Sequence, residues 1–411
     1  MANTGYIIYH QWDFNPRSPY YSTSRTSRVY DLSHCPSVSS QLYYSYYGGT
    51  TSYYLYSLST LSMADFSGSN AVIISDLGGV VTSLPSSAFI SASYLNAVSF
   101  PNCTYIDASA FCNCYSLNSA SFPNCSYVGG CAFYATNVHP FPCPNVEYIS
   151  QYAFYNVRAL DYLSLSKCTY IGLRTFENCE FISYVNLPVC SYIYGLAFYG
   201  CTALSSVSLP LCSYVSDYAF DGCTALSSIS LPQCSYIGNY AFYDCSALSS
   251  ISLPQCTYIG SGTFEFCTAL KSISLPLCSQ IGGCAFYYCS ALSSIDLPQC
   301  EYVGMSAFYS CTALKSISLP QCTTIDSHAF EKCSKLTTVN LPLCTSIDSS
   351  AFYSCTALTT IYLGYSSVVW LYYKTAFDGT AIQSIYVPSS LLSAYDNSSF
   401  WSWATDYLIG F

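Results

Sequence analysis

Apolar residues recur at fixed offsets within a unit of 22 residues, which residues 224–245 illustrate. Only Ile229 and Leu231 are two positions apart, the spacing of a β-strand, and the following Pro232 lacks an amide hydrogen and ends that strand. The other intervals predict tight turns and short helical or 3₁₀ pieces. The pattern therefore predicts one short parallel strand per unit and a core made of Leu226, Ile229, Leu231, Cys234, Ile237, Ala241, Phe242 and Cys245.

The unit repeats along most of the chain. A phenylalanine preceded by alanine or threonine fixes the register, and its copies lie 22 residues apart except for one step of 21 and a last step of 25. One coil buries too little apolar surface to fold alone, so the copies must stack. The spacing predicts a leucine-rich repeat solenoid of about 14 coils, marked by Phe89, Phe111, Phe133, Phe154, Phe176, Phe198, Phe220, Phe242, Phe264, Phe286, Phe308, Phe330, Phe352 and Phe377.

Two segments resemble a known family. Residues 253–270 follow the pattern Leu-Pro-x-Cys-x-x-Ile-Gly-x-x-Ala-Phe-x-x-Cys-x-x-Leu, with Thr263 in the alanine place, and are similar to BspA-like (treponemal-type) leucine-rich repeats. The ending 386–395, followed by 400–403, resembles the terminal cap of that family. The resemblance implies adhesion at a bacterial surface, binding of host or partner-cell proteins, and no enzymatic activity. The coil here is one residue shorter than is usual in the family, and cysteine fills a position that is usually aliphatic.

The repeat divides the chain into three predicted parts. Residues 1–75 lie outside the repeat and form a tyrosine-rich cap or anchor, with a hairpin predicted around Gly48 and Gly49. This part either shields the first coil or anchors the chain in a larger assembly. Residues 76–388 form the solenoid and residues 389–411 form a C-terminal cap, in which Trp401, Trp403 and Phe411 are expected to pack down.

Composition limits the classes of partner and the compartment. The formal charge is −10, the pI is about 4.6 and only 8% of residues are charged, so nucleic acid is an unfavourable partner. No apolar run is long enough for a transmembrane helix, so we expect no membrane insertion. The first ten residues do not resemble a secretory signal. The expected location is extracellular, on a cell surface or on a virion surface.

Most of the 26 cysteines form two series along the repeat, and both series also contain other small residues. In the first series Val81, Val146 and Val369 replace cysteine, and in the second Ala92 and Thr136 do so. Such replacement is typical of a buried small apolar residue rather than of a metal ligand. No Cys-x-x-Cys pair occurs, and disulfides between the two series are the less favoured alternative. We therefore expect neither a metal nor a cofactor.

Tyrosine supplies the candidate binding surface, because the 44 tyrosines concentrate beside buried positions. The first stripe precedes a buried isoleucine or valine, and the second stripe follows the repeat phenylalanine. Tyrosine offers rigid amphipathic contact area suited to a protein or a glycan. There are two alternatives. In the first, the rings stack on each other and only stabilise the solenoid; in the second, they drive self-association. The candidate residues are Tyr170, Tyr192, Tyr214, Tyr236 and Tyr258 in the first stripe and Tyr199, Tyr243, Tyr287 and Tyr309 in the second.

Catalysis has little support in the sequence. The four histidines are scattered, and carboxylates such as Asp217 with Asp221, or Asp326 with Glu331, are interpreted as solvated single groups rather than acid–base pairs. The strand residues that point outward are mostly serines, which offer few binding anchors. The sequence therefore predicts a non-enzymatic module for surface recognition or adhesion, which binds a protein or a glycan on another cell surface. The alternative is a structural protein that assembles into a homo-oligomer, a fibre or a virion-surface component.

Overall fold

The computed structural model describes residues 81–92, 95–364 and 367–411, together with the backbone of the strands Tyr6–Tyr9, Arg28–Asp31 and Ile73–Asp76. It confirms the predicted solenoid, which is a parallel β-solenoid of about 15 turns with about 22 residues per coil. The chain divides into two compact units, residues 1–190 and 191–411. The predicted hairpin around Gly48 and Gly49 lies outside the described residues.

The predicted strand is present at the expected place in the coil. Its central residue points into the core and its flanking residues point to solvent, as in Ser228–Ser230, where only Ile229 is buried. In the regular part of the array, strands of successive coils pair in parallel with a register of 22, so that Ile229 lies beside Ile251. In the first unit these strands are Ile73–Asp76, Ala97–Ser99, Ser119–Ser121, Tyr162–Ser164 and Tyr184–Asn186. In the second unit they are Ser206–Ser208, Ser228–Ser230, Ser250–Ser252, Ser272–Ser274, Ser294–Asp296, Ser316–Ser318, Thr338–Leu341, Thr360–Leu363 and Ser384–Val387. A last strand, Leu408–Gly410, pairs with Ser384–Val387, and its central Ile409 is 39% exposed.

A second ladder of parallel strands corrects the prediction of one strand per coil. Each of its strands has only two residues, one pointing outward and one buried. Two residues are too few to show the alternation of polar and apolar positions by which longer strands are recognised in a sequence. In the first unit they are Ser83–Leu84, Tyr105–Ile106, Tyr127–Val128, Tyr148–Ile149 and Tyr170–Ile171. In the second unit they are Tyr192–Ile193, Tyr214–Val215, Tyr236–Ile237, Tyr258–Ile259, Gln280–Ile281, Tyr302–Val303, Thr324–Ile325, Ser346–Ile347 and Trp370–Leu371.

The segment around each repeat phenylalanine from Phe89 to Phe352 is a turn rather than the short helical piece that the spacing allowed. Residues two before and two after the phenylalanine have positive φ, as at Tyr240 (54°) and Asp244 (50°) around Phe242. In the other described residues, helical structure is confined to the C-terminal part, with 3₁₀ turns at Lys374–Phe377 and Thr405–Tyr407 and one α-helix at Leu392–Asp396. None of these helices is long and apolar enough to cross a membrane.

The core consists of side chains that stack on copies of themselves. Phe242 is fully buried, and its ring centroid lies 5.3 Å from that of Phe220 and 5.6 Å from that of Phe264, with nearly parallel planes. Such stacking adds to the free energy gained by burying the rings. The repeat phenylalanines therefore form a continuous aromatic column inside the second unit.

The cysteine series are buried ladders, as predicted. Cys234, in the first series, donates its thiol hydrogen to the carbonyl oxygen of Tyr236 in its own coil, at 3.2 Å. Cys245, in the second series, donates to the carbonyl oxygen of Phe220 in the preceding coil, also at 3.2 Å. Burial raises the pKa of Cys234 to about 12 and that of Cys245 well above the ordinary thiol value. Each thiol is thus a neutral, hydrogen-bonded filler of the core.

Thiol reactivity checks this arrangement. We expect Ellman's reagent to modify Cys245 and its ladder neighbours only after unfolding, because burial keeps these thiols protonated and inaccessible. Of the cysteines in the described part of the chain, only Cys112, Cys131 and Cys284 are half-buried, and these should react first. Peptide mapping of the labelled sites, with and without guanidinium chloride, provides the measurement. Rapid labelling of Cys245 in the folded protein would contradict the assignment.

The C-terminal segment closes the second unit with aromatic side chains. Trp401 and Tyr395 are fully buried, and the indole nitrogen of Trp401 donates to the carbonyl oxygen of Val369 at 2.9 Å. Trp401 and Trp403 both pack near Phe377, at centroid distances of 5.9 and 5.6 Å. The expectation for Phe411 is wrong, since its side chain is 52% exposed. The predicted boundaries 1–75, 76–388 and 389–411 stay predictions.

Candidate binding surfaces of the solenoid

The first stripe consists of tyrosines that stack face to face. In the second unit the ring centroids lie 4.4 Å apart for Tyr192 and Tyr214, 4.7 Å apart for Tyr214 and Tyr236, and 5.3 Å apart for Tyr236 and Tyr258. The backbone causes this stacking, because the two-residue strands place equivalent side chains side by side. In the first unit Tyr170 stacks on Tyr148 in the same way, at 4.2 Å.

Stacking decides which part of each tyrosine meets the solvent. The ring faces are covered by the neighbouring rings, so the exposed surface consists of ring edges and phenolic hydroxyls. Tyr192 is 36% exposed, and Tyr214, Tyr236 and Tyr258 are half-buried. Burial between its neighbours raises the pKa of Tyr236 to about 12, so its hydroxyl stays protonated at neutral pH. The first stripe therefore presents a row of hydroxyls that donate and accept hydrogen bonds.

The second stripe is discontinuous. Tyr287 and Tyr309 stack at 4.8 Å, but Tyr199 and Tyr243 are separated by the coil that carries Asp221 in the same position. Glu265 takes this position in the coil that follows Tyr243. Of the candidate residues in this stripe, the structure brings together Tyr287 and Tyr309 only.

Carboxylates that replace tyrosine in the second stripe form contacts that sequence reasoning missed. Glu331 is 8% exposed, and its carboxylate lies 2.6 Å from Nδ1 of His328 and 3.3 Å from Nζ of Lys332. The interpretation of Glu331 as a solvated single group is therefore wrong. In the first unit Glu177 is 5% exposed and pairs with Arg174 at 3.1 Å. The sequence signal for both contacts is a basic residue or histidine three positions before the glutamate. The turn brings the two side chains together.

Asp221 is a half-buried carboxyl without such a basic partner in the described contacts. Burial, and secondarily the charge of Asp244, raise its pKa to about 6. A raised folded-state pKa means that the folded protein binds this proton more tightly than the unfolded chain. The carboxyl therefore favours folding at acidic pH, and that contribution is lost as the pH rises from about 4 to about 6.

Replacing Asp221 with asparagine should stabilise the protein at neutral pH. The expected gain in unfolding free energy at pH 7.5 is about 1 kcal/mol, because solvent screens a half-exposed group and reduces the full linkage value. At pH 4 the gain should vanish, since the parent carboxyl is then protonated. Urea unfolding at the two pH values measures the difference, and Asp296→Asn, at an exposed position, serves as control. Equal effects at both pH values would contradict the assigned cause.

The outward face of the first strand is polar in most coils, as predicted, but the second unit carries a tyrosine pair on it, Tyr362 and Tyr386, stacked at 4.7 Å. The first unit carries another pair. Tyr162 and Tyr184 lie side by side in register there and are 50% and 41% exposed. Phe181 nearby in sequence is 61% exposed. The sequence signal for these exposed rings is tyrosine where most coils have serine.

Comparison with known proteins places the chain in a family. The family model of the BspA type leucine rich repeat region matches residues 82–205, 191–299 and 279–403. A leucine-rich repeat protein from Bacteroides ovatus is 19% identical, with 91% of this chain and 99% of that chain covered and a TM-score of 0.53. A leucine rich cell surface protein from Faecalibacterium prausnitzii is 25% identical, with 70% and 84% covered and a TM-score of 0.41. The search of curated proteins finds no match. The matched residues span most of the solenoid, and the chain belongs to the BspA-type leucine-rich repeat family.

Proposed function

We propose that the protein is a recognition module that binds a partner protein outside the cell or at the cell surface through the first stripe. The observation that carries the proposal is the run of four stacked tyrosines from Tyr192 to Tyr258, whose edges and hydroxyls face solvent. Tyrosine contributes rigid contact area and hydrogen bonding at a small cost in conformational entropy.

Family membership supports the general part of this proposal. Leucine-rich repeat proteins typically mediate protein–protein interaction or adhesion, and BspA-like members are generally non-enzymatic binding scaffolds. They are typically located at the cell surface or secreted. The identity of the binding face and its partner is our proposal for this chain.

The geometry of the first stripe favours a protein over a glycan. Sugars bind aromatic side chains by lying against a ring face, and here each inner ring has a tyrosine on both sides. A polypeptide instead can accept and donate hydrogen bonds along the row of hydroxyls and pack against the ring edges. The small number of charged residues reduces the desolvation cost of such a contact.

The test replaces Tyr192, Tyr214, Tyr236 and Tyr258 together by serine. The parent and the variant are probed on an array of purified cell-surface and extracellular-matrix proteins and on a glycan array. We expect the parent to bind one or more arrayed proteins and the variant to lose that binding by at least about tenfold, as loss of a tyrosine cluster at an interface centre does. Circular dichroism verifies that the variant remains folded.

Two further variants make the result specific. Replacing Ser206, Ser228, Ser250 and Ser272 by alanine alters the other sheet in the same region and should leave binding unchanged. Changing the four tyrosines to phenylalanine keeps the stack and removes the hydroxyls. Unchanged binding by a folded tyrosine-to-serine variant would remove the first stripe as the site, and binding to glycans alone would remove a protein as the partner.

A further inference from the structure

The first stripe contains a gap two coils wide near its C-terminal end. Thr324 and Ser346 occupy the stripe position there, and they are flanked by Tyr302 in the coil before and by Trp370 in the coil after. Three strand spacings separate Tyr302 from Trp370, which is about 14 Å. We call the space above Thr324 and Ser346 the ladder gap.

The floor of the ladder gap carries hydroxyls and carboxylates. The hydroxyl of Ser346 donates to that of Thr324 at 3.4 Å. Asp326 and Asp348 follow the two buried isoleucines, at a position that is glycine in the preceding coil. A Cβ on Gly304 would lie 2.8 Å from the backbone of the coil before it, so the neighbouring coil has no room for a side chain at this position.

The two aspartates accept hydrogen bonds from backbone amides and from a tyrosine hydroxyl. Asp326 accepts the amide hydrogen of Ser327 at 2.7 Å and the hydroxyl of Tyr302 at 2.6 Å. Asp348 accepts the amide hydrogen of Ser349 at 2.5 Å. Within residues 81–92, 95–364 and 367–411, no lysine or arginine forms an ion pair with Asp326 or Asp348.

The walls of the ladder gap are exposed aromatic rings. Tyr302 is 37% exposed and leans over the floor through its bond to Asp326. Trp370 is 51% exposed, and its indole packs against Phe400 at a centroid distance of 4.3 Å. Its strand neighbour in the gap is the small Ser346, and its other ring contact is with Tyr372, edge-on at 6.4 Å. Both walls thus offer aromatic surface beside two negative charges.

The protein assembles the same groups twice elsewhere, each time around a cation of its own. Nζ of Lys332 donates a hydrogen bond to the hydroxyl of Tyr309 and lies 3.3 Å from Glu331. In the first unit Arg174 lies 5.8 Å above the ring of Tyr152 and 3.1 Å from Glu177. An aromatic ring and a carboxylate together attract a cation, by the ring quadrupole and by charge.

We propose that the ladder gap binds a lysine or arginine side chain of a partner protein. The aromatic walls and the two aspartates supply the groups that surround Lys332 and Arg174, and the partner supplies the cation. The assignment deepens the proposed function, on which it rests, by giving the partner a basic residue at one defined place. The overall charge of −10 attracts such a partner from a distance.

The test uses fluorescence anisotropy with the full-length protein. The probe is a fluorescein-labelled peptide that alternates arginine and serine, and the matched peptide carries neutral citrulline in place of arginine. We expect the arginine peptide to bind at physiological salt and the citrulline peptide to bind at least about tenfold more weakly, because a desolvated cation contact is lost.

Variants separate the ladder gap from the general negative charge. Thr324→Tyr with Ser346→Tyr completes the ladder, fills the gap and should weaken peptide binding by about tenfold or more while leaving both aspartates in place. Asp326→Asn with Asp348→Asn should weaken it similarly. Asp296→Asn with Asp406→Asn removes the same charge at exposed positions outside the gap and should have a much smaller effect.

The outcomes decide between distinct explanations. Equal binding by the gap-filled variant and the parent, with both folded, would overturn the proposal. Equal losses in the two aspartate double variants would assign the attraction to net charge and also overturn it. A third outcome is that the parent binds the neutral sugar maltohexaose but not the arginine peptide, and that the gap-filled variant does not bind the sugar. This result would overturn the proposal and identify a glycan as the ligand of the ladder gap. The tyrosine-to-serine variant of the first stripe leaves the ladder gap intact, so failure of one proposal does not imply failure of the other.

Discussion

Replacing Phe242 with alanine is expected to reduce the free energy of unfolding by about 3–5 kcal/mol, the cost typical of removing a fully buried phenylalanine. The substitution leaves a cavity inside the aromatic column and removes two stacking contacts, at 5.3 and 5.6 Å. Because each coil is stabilised only by its neighbours, the loss should weaken the coils on both sides. Urea denaturation followed by circular dichroism measures the change.

The control for this substitution is Phe181→Ala. Phe181 is 61% exposed, and substitution there should change stability by no more than about 0.5 kcal/mol. The two variants together distinguish the effect of the buried aromatic column on stability from the effect of removing any phenylalanine. A small effect of Phe242→Ala, equal to that of Phe181→Ala, would mean that the column does not stabilise the solenoid.

Replacing Trp401 with alanine is expected to cost about 3–5 kcal/mol in the stability of the C-terminal segment. The indole is fully buried between Phe377 and Tyr395, and its nitrogen donates to the carbonyl oxygen of Val369. The variant should expose this end of the solenoid, and terminal units that shield apolar edges are needed for solubility. Hydrogen exchange followed by mass spectrometry should show faster exchange in residues 367–411.

Trp370→Ala provides the comparison for Trp401→Ala. Trp370 is 51% exposed, so its removal should change stability by about 1 kcal/mol or less while removing one wall of the ladder gap. If residues 367–411 exchanged their amide hydrogens equally fast in both variants, Trp401 would not be the residue that stabilises the C-terminal segment.

The period of the sequence was sufficient to predict the architecture. The phenylalanine series and the offsets of Ile229 and Leu231 define the coil, its first strand and its core, because each is an apolar position repeated many times. The replacement of cysteine by valine, alanine and threonine within one chain predicted the buried thiols. The copies of the repeat can thus be compared with one another, and the comparison shows which side chains each position of the coil accepts.

Features that occur once, or that depend on tertiary geometry, were not accessible in this way. The two-residue strand at Tyr236–Ile237 has too short an alternation to be recognised. The contact of His328 with Glu331 depends on turn residues with positive φ, and the pattern does not reveal that geometry. The sequence alone does not decide whether the tyrosines stack on each other, and in the structure they stack face to face while remaining partly exposed.

The ladder gap illustrates how a departure from a repeat can mark a site. In the coils at Thr324 and Ser346 the common Tyr-Ile-Gly becomes Thr-Ile-Asp and Ser-Ile-Asp. Both changes are visible in the sequence, but their meaning depends on Trp370, which follows after a longer interval and a change of register. The paired strands bring the tryptophan into line with the two hydroxyls.

The central claim is that the protein presents the first stripe to another molecule and not to copies of itself. Sedimentation velocity over a hundredfold range of protein concentration tests it most directly, because a self-assembling fibre or particle component gains mass with concentration. The account predicts one species of about the chain mass, 45.0 kDa, at every concentration. A mass that rises with concentration in the parent, but not in the variant with Tyr192, Tyr214, Tyr236 and Tyr258 changed to serine, would contradict it.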